Sequence, residues 1–308
     1  MTDVAVAIAS FRRPRGLARA LAALERQITS ANVIVVVADN DAEKQEAYRL
    51  CQQLAPNYRW MLKSIVVPAR GIAQARNALC DFVLEHTEVQ LVAMFDDDEW
   101  PDEHWLQAFI DAQQKDHADA LHGTIRRNFE TRPSSWAVNC QGVADLARSS
   151  GPVAMIEGTG NTIFTRDCLE RLPRPYFDPA FALTGGEDRD FFTRLRALGC
   201  RFAWLSEAVI YAHVPTSRLT LKWILSRAYR VGNSDMRVFL KHPHSAPEFC
   251  REAAKILAAL LLFPALLLIF GFSPNHRAEP LCKLYRNAGK VAALFGSHYN
   301  EYAVTHGA

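Results

Sequence analysis

Leu91-Val92-Ala93-Met94-Phe95-Asp96-Asp97-Asp98-Glu99-Trp100-Pro101 decides how this 308-residue chain is read. Five apolar residues run, without alternation, into four consecutive acids. A short unbroken apolar run predicts a strand buried on both faces. The acids then fall where that strand leaves the sheet, which is where open α/β sheets place their ligands. Asp96 and Asp98 are two residues apart, so in extended backbone their carboxylates point the same way. Neighbouring carboxylates repel at neutral pH unless positive charge lies between them. Mn²⁺ or Mg²⁺, which prefer carboxylate oxygen, would supply that charge. The alternative is an acidic loop leading into the next helix, with Asp102 and Glu103 in its first turn.

Working outward, further apolar runs predict strands at 4–9, 33–38 and 61–67, besides the one at 89–95. Helical patterns fall between them, at 15–27, at 43–54 and from Gly71 onward. Alternating strands and helices mean βαβ units and a mostly parallel sheet flanked by helices. Right-handed crossovers then bring every strand's C-terminal end to one rim. On that rim lie residues 10–13, Asp39 and the acids 96–98. Asp39 could accept hydrogen bonds from a ribose hydroxyl or a base imide; its alternative role is a helix N-cap. Arg12, Arg70 and Arg76 are candidate diphosphate partners, because guanidinium forks match phosphate oxygens. No G-x-G-x-x-G or G-x-x-x-x-G-K-[ST] segment is present, which weakens a dinucleotide or P-loop reading.

Beyond residue 120 the alternation stops. A strand is expected at 120–127, then a polar, irregular stretch at 128–151 with one short helix. Glycines at 156–164 allow backbone to approach a ligand closely. Loop-rich insertions of this kind carry binding surfaces, so 128–160 is the expected acceptor-selecting region. Gly185-Gly186-Glu187-Asp188-Arg189-Asp190 places acids at a helix N-terminus, where Asp190 is read as a cap. Two short strands, 201–204 and 209–212, lead to His213.

The net charge of +2 gives no reason to propose nucleic acid as a partner. Seven scattered cysteines, none in a C-x-x-C pair, fit reduced thiols rather than a disulfide framework. Nothing resembling a signal peptide precedes the first strand. The C-terminal part divides into a basic helical extension, 216–255, and an uncharged run, 256–272, within a membrane-associating segment 256–308. Seventeen apolar residues are at the lower limit for a bilayer span. Pro264 should kink the run. Basic residues flank both ends, which favours an interfacial or re-entrant hairpin on the cytoplasmic face, closed by a second helix at 281–296. A buried helix of a soluble domain is the alternative.

Five segments in order, 4–11, Val35 to Asn40, Gly71 to Asn77, Phe95 to Asp98 and Gly186 to Asp188, resemble glycosyltransferase family 2. The resemblance covers roughly residues 1–215. It implies a Rossmann-like GT-A domain that transfers a sugar from a nucleotide-sugar donor, commonly a UDP-sugar, to a glycan or lipid-linked acceptor. Asp39 would contact the nucleoside, with Ser10 and Phe11 flanking it. Asp96, Asp97 and Arg12 would lie at the nucleotide-sugar. Asp96 and Asp98 would form the D-x-D pair that touches ribose and metal, with His213 as a further metal or diphosphate contact. Asp188 would be the catalytic base, with Glu187 as second choice. Arg227-Ala228-Tyr229-Arg230 looks like a degenerate form of the Q/R-x-x-R-W motif of processive relatives. The tryptophan is replaced by Val231, which favours transfer of single sugars. Rival readings are a sugar-nucleotide nucleotidyltransferase and an inactive sugar-nucleotide-binding assembly protein at the membrane.

Overall fold

The computed structural model describes residues 3–270 and 272–299. Residues 300–308, the end of the expected membrane-associating segment, lie outside the described residues, as does Gly271.

The first half builds as its periodicity dictates. Strand β1 (Asp3–Ser10) leads to helix α1 (Pro14–Glu25), with proline in its first turn, where the missing N–H costs nothing. Strand β2 (Asn32–Asp39), helix α2 (Glu46–Leu54), strand β3 (Met61–Val66), helix α3 (Ile72–His86) and strand β4 (Leu91–Asp96) follow. Next come β5 (Glu99–Pro101), α4 (Trp105–Asp116), β6 (Ala120–Phe129), β7 (Gly151–Val153), β8 (Thr162–Thr165), α5 (Arg166–Glu170), α6 (Glu187–Ala197) and β9 (Phe202–Val214). One sheet runs in the order β3-β2-β1-β4-β8-β6-β9-β5, with β7 added beside β9. The long ladders, β1 with β2 and β4, β2 with β3 and β6 with β9, are parallel; β8, β5 and β7 add short antiparallel ones.

Both faces of the sheet are covered, which is why its strands read as unbroken apolar runs. Val4, Val6 and Ile8 join a core with Leu17, Leu21, Trp105 and Phe109 from α1 and α4. Ala5, Ala7 and Ala9 face the other way, toward Leu79 of α3 and Phe191 and Phe192 of α6. Small residues on that side let α3 and α6 approach closely enough to bring side chains to the rim.

Two expectations change here. The strands at 201–204 and 209–212 are one bulged strand, β9, whose pairing with β6 shifts register between Gly123 and Thr124. The polar Ser206 and Glu207 interrupt the apolar pattern at that bulge, so two strands were read where one bends. The 128–151 stretch contains turns and a bridge between Ile125 and Leu146, with no α-helix.

Helices α7 (Leu221–Lys241), α8 (Ala246–Phe270) and α9 (Pro274–Leu294) complete the described chain. The division at 255/256 therefore falls inside α8. Glycine faces backbone where α7 meets α9: a Cβ on Gly232 would meet Arg286 O at 1.8 Å, and one on Gly289 would meet Tyr229 O at 2.0 Å. Asp235 of α7 then receives Arg189 of α6 at 2.7 Å and Arg286 of α9 at 2.6 Å. Helix α8 touches this pair at its base, where Ile256 packs with Met236 and Ala293. Over Ala246–Ile269 it is long and apolar enough to cross a membrane, and only 11% of an apolar 18-residue window within it is buried. Leu261 is 77% exposed and Leu268 82% exposed, so the buried-helix alternative does not describe α8.

Candidate active site

Strand β4 ends at Asp96; residues 97 and 98 form a turn, and β5 starts at Glu99. The extended-backbone argument for Asp96 and Asp98 therefore does not hold, yet the turn delivers both to one cleft of about 480 Å³. The same turn sends Asp97 inward. Its carboxylate accepts from Ser10 Oγ at 2.9 Å, Phe11 N at 3.2 Å and Arg13 Nη1 at 2.8 Å. Burial pushes this carboxyl up to about 6, against the pull of Arg13. Asp97, expected at the nucleotide-sugar, lines the small cavity beside the β1 loop and ties that loop to the end of β4. Asp98 faces Arg218 at 3.3 Å and Arg13 at 3.7 Å. Burial alone would raise it; Arg13, Arg218 and Arg127 overcome that and hold it below the ordinary range.

A smaller cavity of about 110 Å³ opens between the β1 loop and the start of α3, lined by Ser10, Phe11, Asn40, Arg70, Gly71 and Leu183 among others. Phe11 carries the Arg12 guanidinium 4.9 Å and that of Arg70 5.0 Å from its ring centre. Arg12, however, pairs with Asp41 at 2.6 Å and lines neither cavity; Arg13, its neighbour, lines both. Asp39 is also corrected. It is 1% exposed, and its two oxygens accept from Asp41 N and Tyr48 N, each at 2.9 Å, so it braces the turn after β2 and the first turn of α2, whose N-cap position is Gln45. Asn40 reaches the cavity in its place. Its side chain accepts from Gly71 N at 2.7 Å and donates to Ala69 O at 2.8 Å, fixing the Arg70–Gly71 corner against β2.

Arg76 of α3 stands at the centre. It is 5% exposed, and its guanidinium donates to Glu187 Oε1 at 2.6 Å, Asp188 Oδ1 at 2.5 Å and Asp96 Oδ1 at 3.1 Å. One cation thus gathers carboxylates separated by over ninety residues. Expected at a diphosphate, it lines both cavities and is the hub between the two acidic runs. Gly185 and Gly186 turn the chain into α6 with φ of +75° and +106°, open without strain only to glycine. Glu187 follows at 3% exposure, with Oε2 buried and without a hydrogen-bond partner among the described residues. Burial, then the neighbouring Asp188, pushes Glu187 up to about 7 despite Arg76. Asp188 reaches the cleft and accepts from Thr159 Oγ at 3.0 Å. Asp190 is wholly buried and tied to Arg194, Lys241 and His242 at 2.7–3.0 Å, so it anchors the end of α7 rather than simply capping α6. Glu99 also lines the cleft, and burial, then Asp96 and Asp98, holds it well above the ordinary range.

His213 borders the same cleft, and its backbone N donates to Asp98 O at 2.9 Å. Burial lowers its pKa. Among the described residues no group of three or more His, Cys, Asp or Glu side chains converges as a metal cage, so Asp96, Asp98 and His213 do not form the three-donor set expected. Asp98 is paired with Arg13 and Arg218, and Asp96 with Arg76. The donor set still suits Mg²⁺ or Mn²⁺, which need only one or two carboxylates when phosphate oxygens complete the shell. Missed by sequence reasoning were Arg13, Asn40, Thr159 and Arg218. Thr159 lies in the glycine segment already marked for close backbone approach; Arg218 carried no signal.

With the geometry in place, the class follows. Residues 5–172 match the sequence profile described as Glycosyl transferase family 2, and the chain belongs to that family. Its fold is GT-A. The chain is 28% identical over 300 residues to the succinoglycan biosynthesis protein ExoM of Rhizobium meliloti (strain 1021), covering 94% of this chain and 92% of that protein. It is 22% identical to chondroitin synthase of Escherichia coli over 84% of this chain and 40% of that one. Among solved structures, S. aureus TarS 1–349 in complex with UDP superposes with a TM-score of 0.52 at 14% identity, covering 97% of this chain and 93% of that one. The same fragment in complex with UDP-GlcNAc gives 0.50 at 15% identity over the same shares.

Proposed function

We propose that this glycosyltransferase moves a sugar, with inversion, from a UDP-sugar to a hydroxyl of a glycan or lipid-linked acceptor during polysaccharide or cell-envelope glycan synthesis. The observation that carries the reading is the meeting of Asp96, Asp98 and Asp188 around one cleft beside a small cavity. The nucleoside sits in that cavity against Phe11 and Arg70. The diphosphate lies toward Arg13 and Arg218. Asp98 and Asp96 would hold Mn²⁺ or Mg²⁺, which when bound stabilises the charge gained by the leaving diphosphate. Asp188 accepts the proton of the acceptor hydroxyl. It is preferred over Glu187, whose second oxygen is buried. UDP as the nucleotide is supported by the TarS complexes, and the polysaccharide role by ExoM.

Residues 1–215 form the transferase unit in this reading, and the tail docks on the cytoplasmic face of the membrane. Exposed leucines of α8 support it, since leaving so many in water forgoes about 1.5–3 kcal/mol each. A thermal-shift screen of UDP-sugars with Mn²⁺ tests the first part: one donor should raise Tm by mass action, and no response to any nucleotide sugar would reject the reading. Flotation with anionic vesicles tests the second. Leu261→Glu with Leu268→Glu should release the protein; unchanged flotation rejects docking through α8.

A further inference from the structure

The base needs one oxygen facing the acceptor. The structure distinguishes the two oxygens of Asp188. Oδ1 accepts from Arg76 Nη1 at 2.5 Å and from Thr159 Oγ at 3.0 Å, which occupies both of its lone pairs. Oδ2 has no hydrogen bond among the described residues and is not among the buried polar atoms. Gly158 lines the cleft, and a Cβ there would stand 4.0 Å from Oδ2.

Resting on the reading above, we infer that Thr159 is a positioning residue for the base: with Arg76 it saturates Oδ1 of Asp188 and leaves Oδ2 as the atom that takes the acceptor's proton. As the acceptor oxygen bonds to the anomeric carbon, the bond from that carbon to the phosphate oxygen breaks. The hydroxyl proton passes to Oδ2, and the electron pair leaves with the nucleoside diphosphate.

The seat of Thr159 is built for this. Thr159 is 1% exposed, and a β-branched side chain has few rotamers to choose from. Two residues on, Asn161 is fully buried with φ of +59°. Its amide donates to Thr124 O at 2.8 Å and Ala208 O at 2.9 Å, and its carbonyl accepts from Trp105 Nε1 at 2.6 Å. Thr162 Oγ donates to Gly158 O at 3.0 Å, closing the loop on itself. The bulge of β9, the side chain of α4 and strand β6 therefore all fix where the Thr159 hydroxyl points. Placement to within about 0.5 Å is what a functional side chain requires of its support.

The test uses the full-length protein with UDP-N-acetylglucosamine and UDP-glucose, following donor hydrolysis with water as the acceptor. Thr159→Val should lower kcat about tenfold, the effect of losing one hydrogen bond to a charged group, with donor KM within about twofold of wild type. Thr159→Ser should recover most of that loss. Thr159→Val added to Asp188→Asn should cost nothing more, because the hydroxyl acts only through that carboxylate. Thr159→Ala replaces the valine variant if valine does not fold. Unchanged kcat, a loss not recovered by serine, or full additivity with Asp188→Asn overturns the inference while leaving the transferase reading standing. Absence of hydrolysis by wild type, or retention of it in Asp188→Asn, overturns both.

Discussion

Two acidic runs, 96–99 at the end of β4 and 187–190 at the start of α6, look alike in sequence and are treated differently by the fold. Each lines the cleft with some of its acids and turns another inward as an anchor. Asp98 and Asp188 reach the cleft. Asp97 and Asp190 are buried against Ser10 and Arg13, and against Arg194, Lys241 and His242. The difference lies in what holds them. The β4 run sits in a turn braced by two arginines from separate elements, Arg13 and Arg218. The α6 run sits behind two left-handed glycines, and its Glu187 and Asp188 share Arg76. Cations, more than the spacing of the acids, decide which carboxylates are available for chemistry.

The sharpest way to break this comparison is to remove the cation the two runs share. Arg76→Gln leaves Glu187, Asp188 and Asp96 facing one another, a change worth about 3–5 kcal/mol when a buried pair is broken. Turnover should vanish and the unfolding midpoint should drop; a stable, active variant would show that the hub is dispensable.

Next comes the contrast within the β4 run. Asp98→Asn should lower turnover about 10²–10³-fold, the scale of losing a key electrostatic group, and weaken the response to added Mn²⁺. Asp97→Asn should cost stability with donor affinity nearly unchanged. Equal effects of the two on donor titration would show that the fold does not sort them as described.

The smallest effect concerns pH. Glu187 moves from 4.5 to about 7 on folding, so the folded state holds a proton that the unfolded state releases between those values. The stability linked to this group is present below about pH 4.5 and is lost as pH rises toward 7. Glu187→Gln should flatten that dependence, with a gain on the order of 1–3 kcal/mol at pH 8. Parallel stability–pH curves for the two proteins would contradict the assignment.

The β1–β4 half of the sheet was legible because burial on both faces leaves unbroken apolar runs, as in Val4–Ile8 and Val33–Val37. The place of Asp96 and Asp98 at the strand-end rim was legible from topology, whereas Asp188 was tied to them only by the family resemblance. Which acids face inward was not, because Asp39 and Asp97 depend on backbone N–H groups and an arginine brought in from elsewhere. Arg12 and Arg13 are adjacent, and a left-handed backbone at Arg12, φ +55°, is what separates their directions. Neither a single bulged strand nor the reach of Thr159 leaves a mark in periodicity.

The account stands or falls with Asp188 acting on a bound donor. Calorimetric titration and turnover of the same Asp188→Asn preparation, with the UDP-sugar that stabilises the wild type and Mn²⁺, measure this directly. Donor affinity should stay within about threefold while turnover drops at least about 10²-fold, the contribution of a general base. Turnover close to wild type, or affinity lost in step with turnover, would contradict it.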